Sequence, residues 1–541
     1  MPLDGLSKKD AEEYVRQGAW QNMLLSDLLD AAAQECPQKE ALVDNRGRLT
    51  YSQLNHKVDR LALGLSDLGI RRGDAVLLQL PNWSEFVYSF FALQKIGAPA
   101  VLLLPRHRQV EINYLSSLTK ATAWIVPERH RNTEYLPVIQ DVLRTNPQLK
   151  HVITVRAKDR KFQRMEELIE QDAAERRSPP PGPAAADVAF VIATGGTTGL
   201  PKAVPRMHND ALCEAMHKAT ARKQDSTDVC MISVPLEHNL GLAALNGIIS
   251  VKGKIVLVDS TRSEDLCAAI QREKATCAPL VPTLLARLVS FEGLADYDLS
   301  SLKALYVGGA KTPVDVIRAT RQRLGNVYMA AFGMSEGPSC TTSLDDAEEV
   351  VLNSIGKPCC WFDKFKVVGT EGQELPPNTE GELLVKGPGM FSSYLDNPAE
   401  NKRAFTGDGF FRTGDLAKID NSGNIWITGR IKDIIIRGGE KISPAEIESL
   451  LREHPDVADV AVVAMPDPEM GERACAYIQP RGKSTTSLDD IISFLKSRGA
   501  SVLQSPERIE IVRKIPLTKV GKADKKALEE DIKRRILHEN K

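Results

Sequence analysis

An excess of charge of either sign is missing from the sequence: 70 lysines and arginines face 71 aspartates and glutamates across 541 residues. That balance supplies no electrostatic footprint for nucleic acid or for an anionic membrane surface, so neither is expected among the partners. Paired cysteine spacing is missing too. None of the nine cysteines forms a Cys-x-x-Cys pair, and Cys359 and Cys360 are too close for an ordinary bridge. This speaks against a disulfide scaffold and against zinc, and for a reduced, cytoplasmic setting. No stretch of about 18 uncharged apolar residues occurs, and Met1 to Gln21 has no apolar core of the kind an export signal needs. A soluble, unexported protein is expected.

What the sequence does have is length enough for at least two domains and a rhythm of short strands and helices. Ala75–Leu80 reads as a strand, Glu85–Ile96 as an apolar helix and Ala100–Leu104 as a second strand; Val229–Val234, Lys254–Val258, Ala278–Val281 and Ala304–Val307 continue the pattern. The alternation predicts an α/β fold with two βαβ-type lobes. Between them Ser178–Pro183 reads as a stiff connector. From Phe365 the pattern changes to short β segments, a small β lobe. Beyond Lys432 a small α+β C-terminal domain follows, with helices expected over Pro444–Arg452 and Leu488–Arg498 and a strand over Val457–Ala464. The expected domains are 1–431 and 432–541.

The most informative stretch is Ala193-Thr194-Gly195-Gly196-Thr197-Thr198-Gly199-Leu200-Pro201-Lys202, which follows the apolar run Val188–Ile192. Its glycines let backbone N–H groups approach an anion, and its threonines and lysine add donors and a charge: a phosphate grip. The spacing from Gly195 to Lys202 does not fit a Walker loop, so a nucleotide hydrolase is not the first reading. Four more stretches follow at large separations: Phe332-Gly333-Met334-Ser335-Glu336-Gly337, Arg412-Thr413-Gly414-Asp415, Gly429-Arg430-Ile431-Lys432-Asp433 and Pro516-Leu517-Thr518-Lys519-Val520-Gly521-Lys522. Each alone is a common turn or cap. In this order and over nearly the whole chain, they resemble the AMP-forming adenylating superfamily of acyl-CoA synthetases, aryl-acid adenylating enzymes and luciferases. Pro205–Asp210, His238-Asn239, Gly308-Gly309-Ala310-Lys311 and Ile436–Lys441 are similar to the free-standing 2,3-dihydroxybenzoate adenylating enzymes and to aryl- and cyclic-acid CoA ligases.

The resemblance implies attack of a carboxylate on the α-phosphorus of ATP, giving an acyl-adenylate and pyrophosphate, and then attack of a thiol on the activated carbonyl. Alignment and charge neutralisation are the main demands of the first step. It implies that Thr194, Gly195, Gly196, Thr197, Thr198, Gly199 and Lys202 hold the phosphates. Gly309, Ala310, Lys311, Phe332, Gly333, Met334 and Ser335 would complete the nucleotide site, with Phe332 against adenine. Glu336 would help bind Mg²⁺, a hard cation that takes oxygen ligands. Asp415 would accept from the ribose hydroxyls, and Arg430 would contact ribose or the α-phosphate. Lys522 would enter from the C-terminal domain, which turns about a hinge at Lys432 and brings Gly438 and Gly439 toward the thiol channel. Catalytic roles thus fall to Lys522, Glu336 and His238.

His238, Asn239, Leu240, Ala244, Gly308 and Gly337 would line the acid pocket. The dihydroxybenzoate enzymes carry Tyr and Ser where this chain has Leu240 and Ala244. A pocket without hydroxyl partners has little means of preferring a catechol acid, which favours a benzoate, a salicylate or an alicyclic acid such as cyclohexanecarboxylate. Coenzyme A is the expected acceptor of an acid–CoA ligase. The runner-up is a 2,3-dihydroxybenzoate-type ligase loading the phosphopantetheine of a separate carrier protein for siderophore synthesis, and a non-catalytic nucleotide-binding protein is a distant third. Oligomeric state stays open between monomer and homodimer.

Overall fold

The structure, a computed structural model, describes residues 6–170, 182–194, 201–437, 440–482, 486–498, 500, 505–518 and 522–539. The connector expected at Ser178–Pro183 falls largely outside these. Two mainly parallel sheets dominate the larger part of the chain. The nine-stranded sheet runs Lys357–Pro358, Ser339–Thr341, Tyr328–Gly333, Ala304–Gly308, Cys277–Leu280, Val229–Ile232, Lys254–Leu257, Glu40–Val43 and Arg48–Thr50. The seven-stranded sheet runs Lys202–Met207, Val188–Thr194, Ala100–Leu102, Val76–Leu78, Ala123–Pro127, His151–Val155 and Gln163–Arg164.

Buried strands such as Ala123–Pro127 and Ala304–Gly308 are covered on both faces, as parallel sheets require. The helix Ser84–Ile96 is buried on nearly every side, with Phe86, Phe90 and Phe91 fully enclosed. It shares one apolar core with the helices Leu25–Glu35 and Asn239–Ser250 and with strands of both sheets, so the two lobes pack into a single body. Local signals set several boundaries. Thr50 caps the helix Tyr51–Asp67 by accepting from Gln53 N, while the Gln53 side chain accepts from Thr50 N, so two helix-end donors are satisfied reciprocally.

The small β lobe is a four-stranded antiparallel sheet, Lys364–Val368, Gly381–Lys386, Phe411–Ile419 and Ile425–Arg430. The C-terminal part has its own sheet, in which Glu440–Ile442, Ile435–Arg437, Gly471–Pro480 and Val457–Asp467 pair in that order and Arg508–Ile511 adds to Gly471–Pro480. The helices Pro444–Leu451, Leu488–Ser497 and Lys525–Glu539 cover it, around two cores of its own. The α/β class, the two lobes, the β lobe and the α+β C-terminal unit agree with the sequence expectation. Strands come out shorter than the apolar runs suggest: Val76–Leu78 in place of Ala75–Leu80, and Ala100–Leu102 in place of Ala100–Leu104. The outer residues of those runs are buried in the connections flanking the strands, where apolarity reports burial and not pairing.

Candidate active site

The C-terminal ends of the strands Val188–Thr194 and Tyr328–Gly333 open onto a cleft roofed by the β lobe and the C-terminal unit. Thr194 ends its strand, with Oγ1 3.5 Å from the Lys202 carbonyl. Gly195, Gly196, Thr197, Thr198 and Gly199 lie outside the described residues, as do Gly438 and Gly439. Lys202 opens the return strand and is engaged by protein. Its ammonium pairs with Glu400 and sits 4.6 Å from the centre of the Tyr394 ring. The Tyr394 hydroxyl in turn donates to Glu336 Oε1 at 2.7 Å. Lys202, Glu400, Tyr394 and Glu336 therefore form one chain of contacts across the cleft edge. Glu336 is buried, with Oε2 left for a hard cation beside phosphate oxygens; its donor chemistry fits Mg²⁺.

Asp415 and Arg430 are cross-strand partners in the hairpin of Phe411–Ile419 and Ile425–Arg430. Arg430 Nε donates to Asp415 Oδ1 at 2.9 Å, while Oδ2 is buried without a partner. A buried carboxylate oxygen left unpaired is costly, and a ribose hydroxyl is the kind of donor that would satisfy it. Burial raises the Asp415 carboxyl above its usual range, with Arg430 and Lys522 pulling the other way. The hairpin turn is tightly built. Asp420 accepts from the backbone N–H groups of Ser422 and Asn424, from the Asn424 amide and from Trp426 Nε1.

Lys522 is brought by the C-terminal unit to this same place. Its side chain is exposed, but into a cleft crowded by protein. Desolvation holds the ammonium below the usual lysine range. The Arg430 and Lys432 charges act in the same direction, and Asp415 and Glu336 oppose them. Lys432 sits in the short turn of helix Ile431–Asp433, exposed, its ammonium lowered by desolvation and then by Arg430. Gly309, with φ +94, Ala310 and Lys311 form an exposed corner after the strand Ala304–Gly308. Gly308 is tightly placed, since a Cβ there would lie 2.4 Å from the Ala331 carbonyl oxygen. Gly337 has φ +118 and passes Gly389 so closely that a Cβ would meet its carbonyl at 2.0 Å. Phe332 is half-buried and packs against the β-lobe core.

The segment beside Met334 and Ser335 is anchored from below by a buried quartet on the strand Lys202–Met207 and the helix His208–Ala221. Arg206 is fully buried. Its Nε donates to Asp210 at 2.6 Å, Nη1 to the Ser335 carbonyl at 3.1 Å, and Nη2 to Glu214 and to the Gly389 carbonyl, both at 2.9 Å. Glu214 also accepts from Lys218 and from the Asn239 amide. Burial by itself would raise the Glu214 carboxyl, yet the Lys218 and Arg206 charges outweigh it and hold it low. Asp210, accepting also from Met207 N, is pushed up by burial to about 6.

Of the expected acid-pocket residues, His238, Asn239, Leu240 and Ala244 lie at the start of the helix Asn239–Ser250, and Gly308 and Gly337 on the segments described above. Asn239 is less free than expected, because its amide donates to Glu214 and to the Met334 carbonyl, both at 2.8 Å. Ala244 is buried in the main core, and Leu240 packs against it. His238 precedes the helix, its Nε2 buried without a partner. Burial lowers its ring to about 4, with Arg106, His107 and Lys522 adding to the shift, so the imidazole is neutral at pH 7.

Sequence reasoning missed Tyr394, Glu400 and Glu237. The first two carry no local signal, for their partners lie far away in the chain. Glu237 stands out only as an acid inside the apolar run Val234-Pro235-Leu236. Both its carboxyl oxygens are buried without partners, and burial pushes it from the ordinary 4.5 up to about 8, with Asp259 adding and Arg106 opposing. The folded protein thus keeps a proton that the unfolded chain releases, and stability is lost as pH rises from 4.5 toward 8. Glu237→Gln is expected to melt above the parent protein at pH values beyond 8, with the gap closing as pH falls into the ordinary glutamate range. Thermal scans across pH check this, and a gap independent of pH would disprove it.

A buried acid on a β hairpin, a buried glutamate at the cleft and a lysine delivered from a separate C-terminal unit define an AMP-forming adenylating enzyme. The chain belongs to the AMP-binding enzyme family, which matches residues 29–395, with the AMP-binding enzyme C-terminal domain matching residues 446–522. Over 529 residues it is 36% identical to the 2,3-dihydroxybenzoate-AMP ligase of Bacillus subtilis, covering 97% of both chains. It is 34% identical to the salicyl-AMP ligase / salicyl-S-ArCP synthetase of Mycobacterium tuberculosis, over 96% of this chain and 92% of that one. It is also 34% identical to a salicylyl-CoA synthase / salicylate adenylyltransferase of Streptomyces, over 97% of each. The apo structure of MbtA from Mycobacterium smegmatis superposes with a TM-score of 0.75 at 34% identity, over 98% of both chains.

Proposed function

We propose that the protein activates a lightly substituted aryl or cyclic carboxylic acid with ATP, releases pyrophosphate, and passes the acyl group to a pantetheine thiol. The observation that carries the reading is the convergence of Asp415, with its unpaired buried oxygen, on Glu336 and on Lys522 from the C-terminal unit. In this reading Asp415 accepts from ribose and Arg430 keeps its carboxylate ionised. Lys522 neutralises charge on the reacting carboxylate and α-phosphate, in a crowded cleft where a fixed cation acts more strongly than in water. Glu336, its carboxylate held in place by the Tyr394 hydroxyl, would hold Mg²⁺, which supplies charge neutralisation on the phosphates. The Lys202–Glu400 pair braces the foot of the phosphate loop. The domains divide near residues 431 and 432, and rotation about Lys432 withdraws Lys522 and admits the thiol.

The acid is chosen at His238, Leu240 and Ala244, where the aliphatic Leu240 and Ala244 offer no partner for ring hydroxyls and the unpaired Nε2 of the neutral His238 offers one at most. Similarity to salicylate-activating relatives supports this reading, and relatives named for both coenzyme A and carrier-protein acceptors support the shared pantetheine chemistry. The test is acid-dependent ATP–pyrophosphate exchange with benzoate, salicylate, cyclohexanecarboxylate and 2,3-dihydroxybenzoate, followed by thioester assays. Coenzyme A is used in one arm and a phosphopantetheinylated aryl carrier protein in the other. The highest kcat/KM is expected with benzoate, salicylate or cyclohexanecarboxylate. Preference for 2,3-dihydroxybenzoate would overturn the assignment of the acid, and absence of exchange with every acid would overturn the activity.

A further inference from the structure

On the helix His208–Ala221, on the face next to the one that carries Asp210, Glu214 and Lys218, two buried cysteines and a buried histidine converge. Cys213 and His217 stand one helical turn apart and so share a face; Cys360 reaches them from the segment before the strand Lys364–Val368. Their ligand atoms all lie within 4.8 Å of one another, the sole such trio of metal-ligating side chains among the described residues. We infer that Cys213, His217 and Cys360 form a structural site for a thiophilic divalent cation, zinc above all.

The spacing carries the inference. Two thiolates at about 2.3 Å from one tetrahedral zinc stand about 3.8 Å apart, and a thiolate and an imidazole nitrogen about 3.6 Å apart. Here the two sulfurs are 3.8 Å apart, and Cys213 Sγ is 3.5 Å from His217 Nδ1. An ordinary disulfide needs sulfurs at about 2.05 Å. Nδ1 also lies 2.7 Å from the Cys213 carbonyl, which accepts the ring N–H when no cation is bound; a cation at Nδ1 replaces that hydrogen bond, with the ring proton carried on Nε2 instead. Binding displaces two thiol protons, so two thiolates and a neutral imidazole balance one divalent charge exactly where burial would punish any excess.

The surroundings suit such a site. Asp363, three residues after Cys360, has Oδ1 buried without a partner. The exposed ring of Trp361 lies edge-on to His217 at 4.3 Å, so the site is one side chain from solvent and has an entry path. The absence of Cys-x-x-Cys pairs argues against zinc at the level of sequence, yet the pair that matters is spread over 147 positions and becomes a pair only in the fold. The metal would tie the helix that carries Asp210, Glu214 and Lys218 to the segment leading into the β lobe.

The experiment uses the tag-free, reduced full chain. Metal content by plasma mass spectrometry is expected near one zinc per chain. Cobalt(II) added after chelation is expected to give a thiolate-to-cobalt charge-transfer band in the near ultraviolet with unit stoichiometry, and the melting temperature is expected to fall on chelation. Cys213→Ser and Cys360→Ser should abolish the band, whereas Cys36→Ser, at a half-buried thiol elsewhere, should keep it. Because the band is read in the unmodified protein, failure of a variant to fold does not decide the matter. No stoichiometric zinc together with no charge-transfer band would overturn the site, as would a Cys213–Cys360 disulfide in place of bound metal.

Discussion

Replacing Lys522 by alanine is expected to lower acid-dependent ATP–pyrophosphate exchange by ~10²-fold or more, the scale for losing one donor that acts on developing charge. The side chain makes no described ion pair that holds the fold together. Its ammonium stands in a cleft among Asp415, Glu336, Arg430 and Lys432, so its removal costs charge stabilisation there and little stability. Thioester formation from a supplied acyl-adenylate should be nearly spared, because that step does not need this cation at the α-phosphate. Exchange at the parent rate, or equal loss of both half-reactions, would refute the role.

Arg206→Met is expected to destabilise the protein by about 3–5 kcal/mol, the cost of leaving buried charges without their partner. Arg206 is 0% exposed and answers four acceptors, two of them carboxylates. Without it, Asp210 and Glu214 face each other with Lys218 as their one nearby cation in the quartet, and the Ser335 and Gly389 carbonyls lose a donor. Urea titrations measure the loss. Adding Asp210→Asn to the variant should recover part of it, since a neutral amide relieves the buried charge. A shift of less than about 1 kcal/mol, the usual range for a surface pair, would show the network to be dispensable.

Much of the fold was legible because the signals are local. The apolar run Val188–Ile192 announces the strand that feeds the glycine loop, and the runs Val229–Val234 and Ala304–Val307 announce strands of the larger sheet. The nucleotide residues Glu336, Asp415, Arg430 and Lys522 were legible for another reason: each sits in a short stretch whose order along the chain is itself a pattern. What stayed hidden depends on contacts between distant segments. Glu400 meets Lys202 across 198 positions, and Tyr394 meets Glu336 across 58. Asn239 was expected to face the acid. Its amide serves Glu214 and Met334, because a polar group buried between two acceptors is satisfied there first. The site therefore had readable members and unreadable braces.

The hairpin that pairs Asp415 with Arg430 works as a length gauge. Two residues on opposite strands meet only while the turn at Asp420–Gly423 and the bulge beside Leu416 and Ala417 keep their residue counts, and Asp420 locks that turn through four accepted hydrogen bonds. One residue more or fewer shifts the pairing by a position and turns alternate side chains to the other face of the sheet, carrying the carboxylate away from the cleft without touching any residue in it. The placement of Asp415 is thus set far from the substrates, by a four-residue turn at the other end of its hairpin.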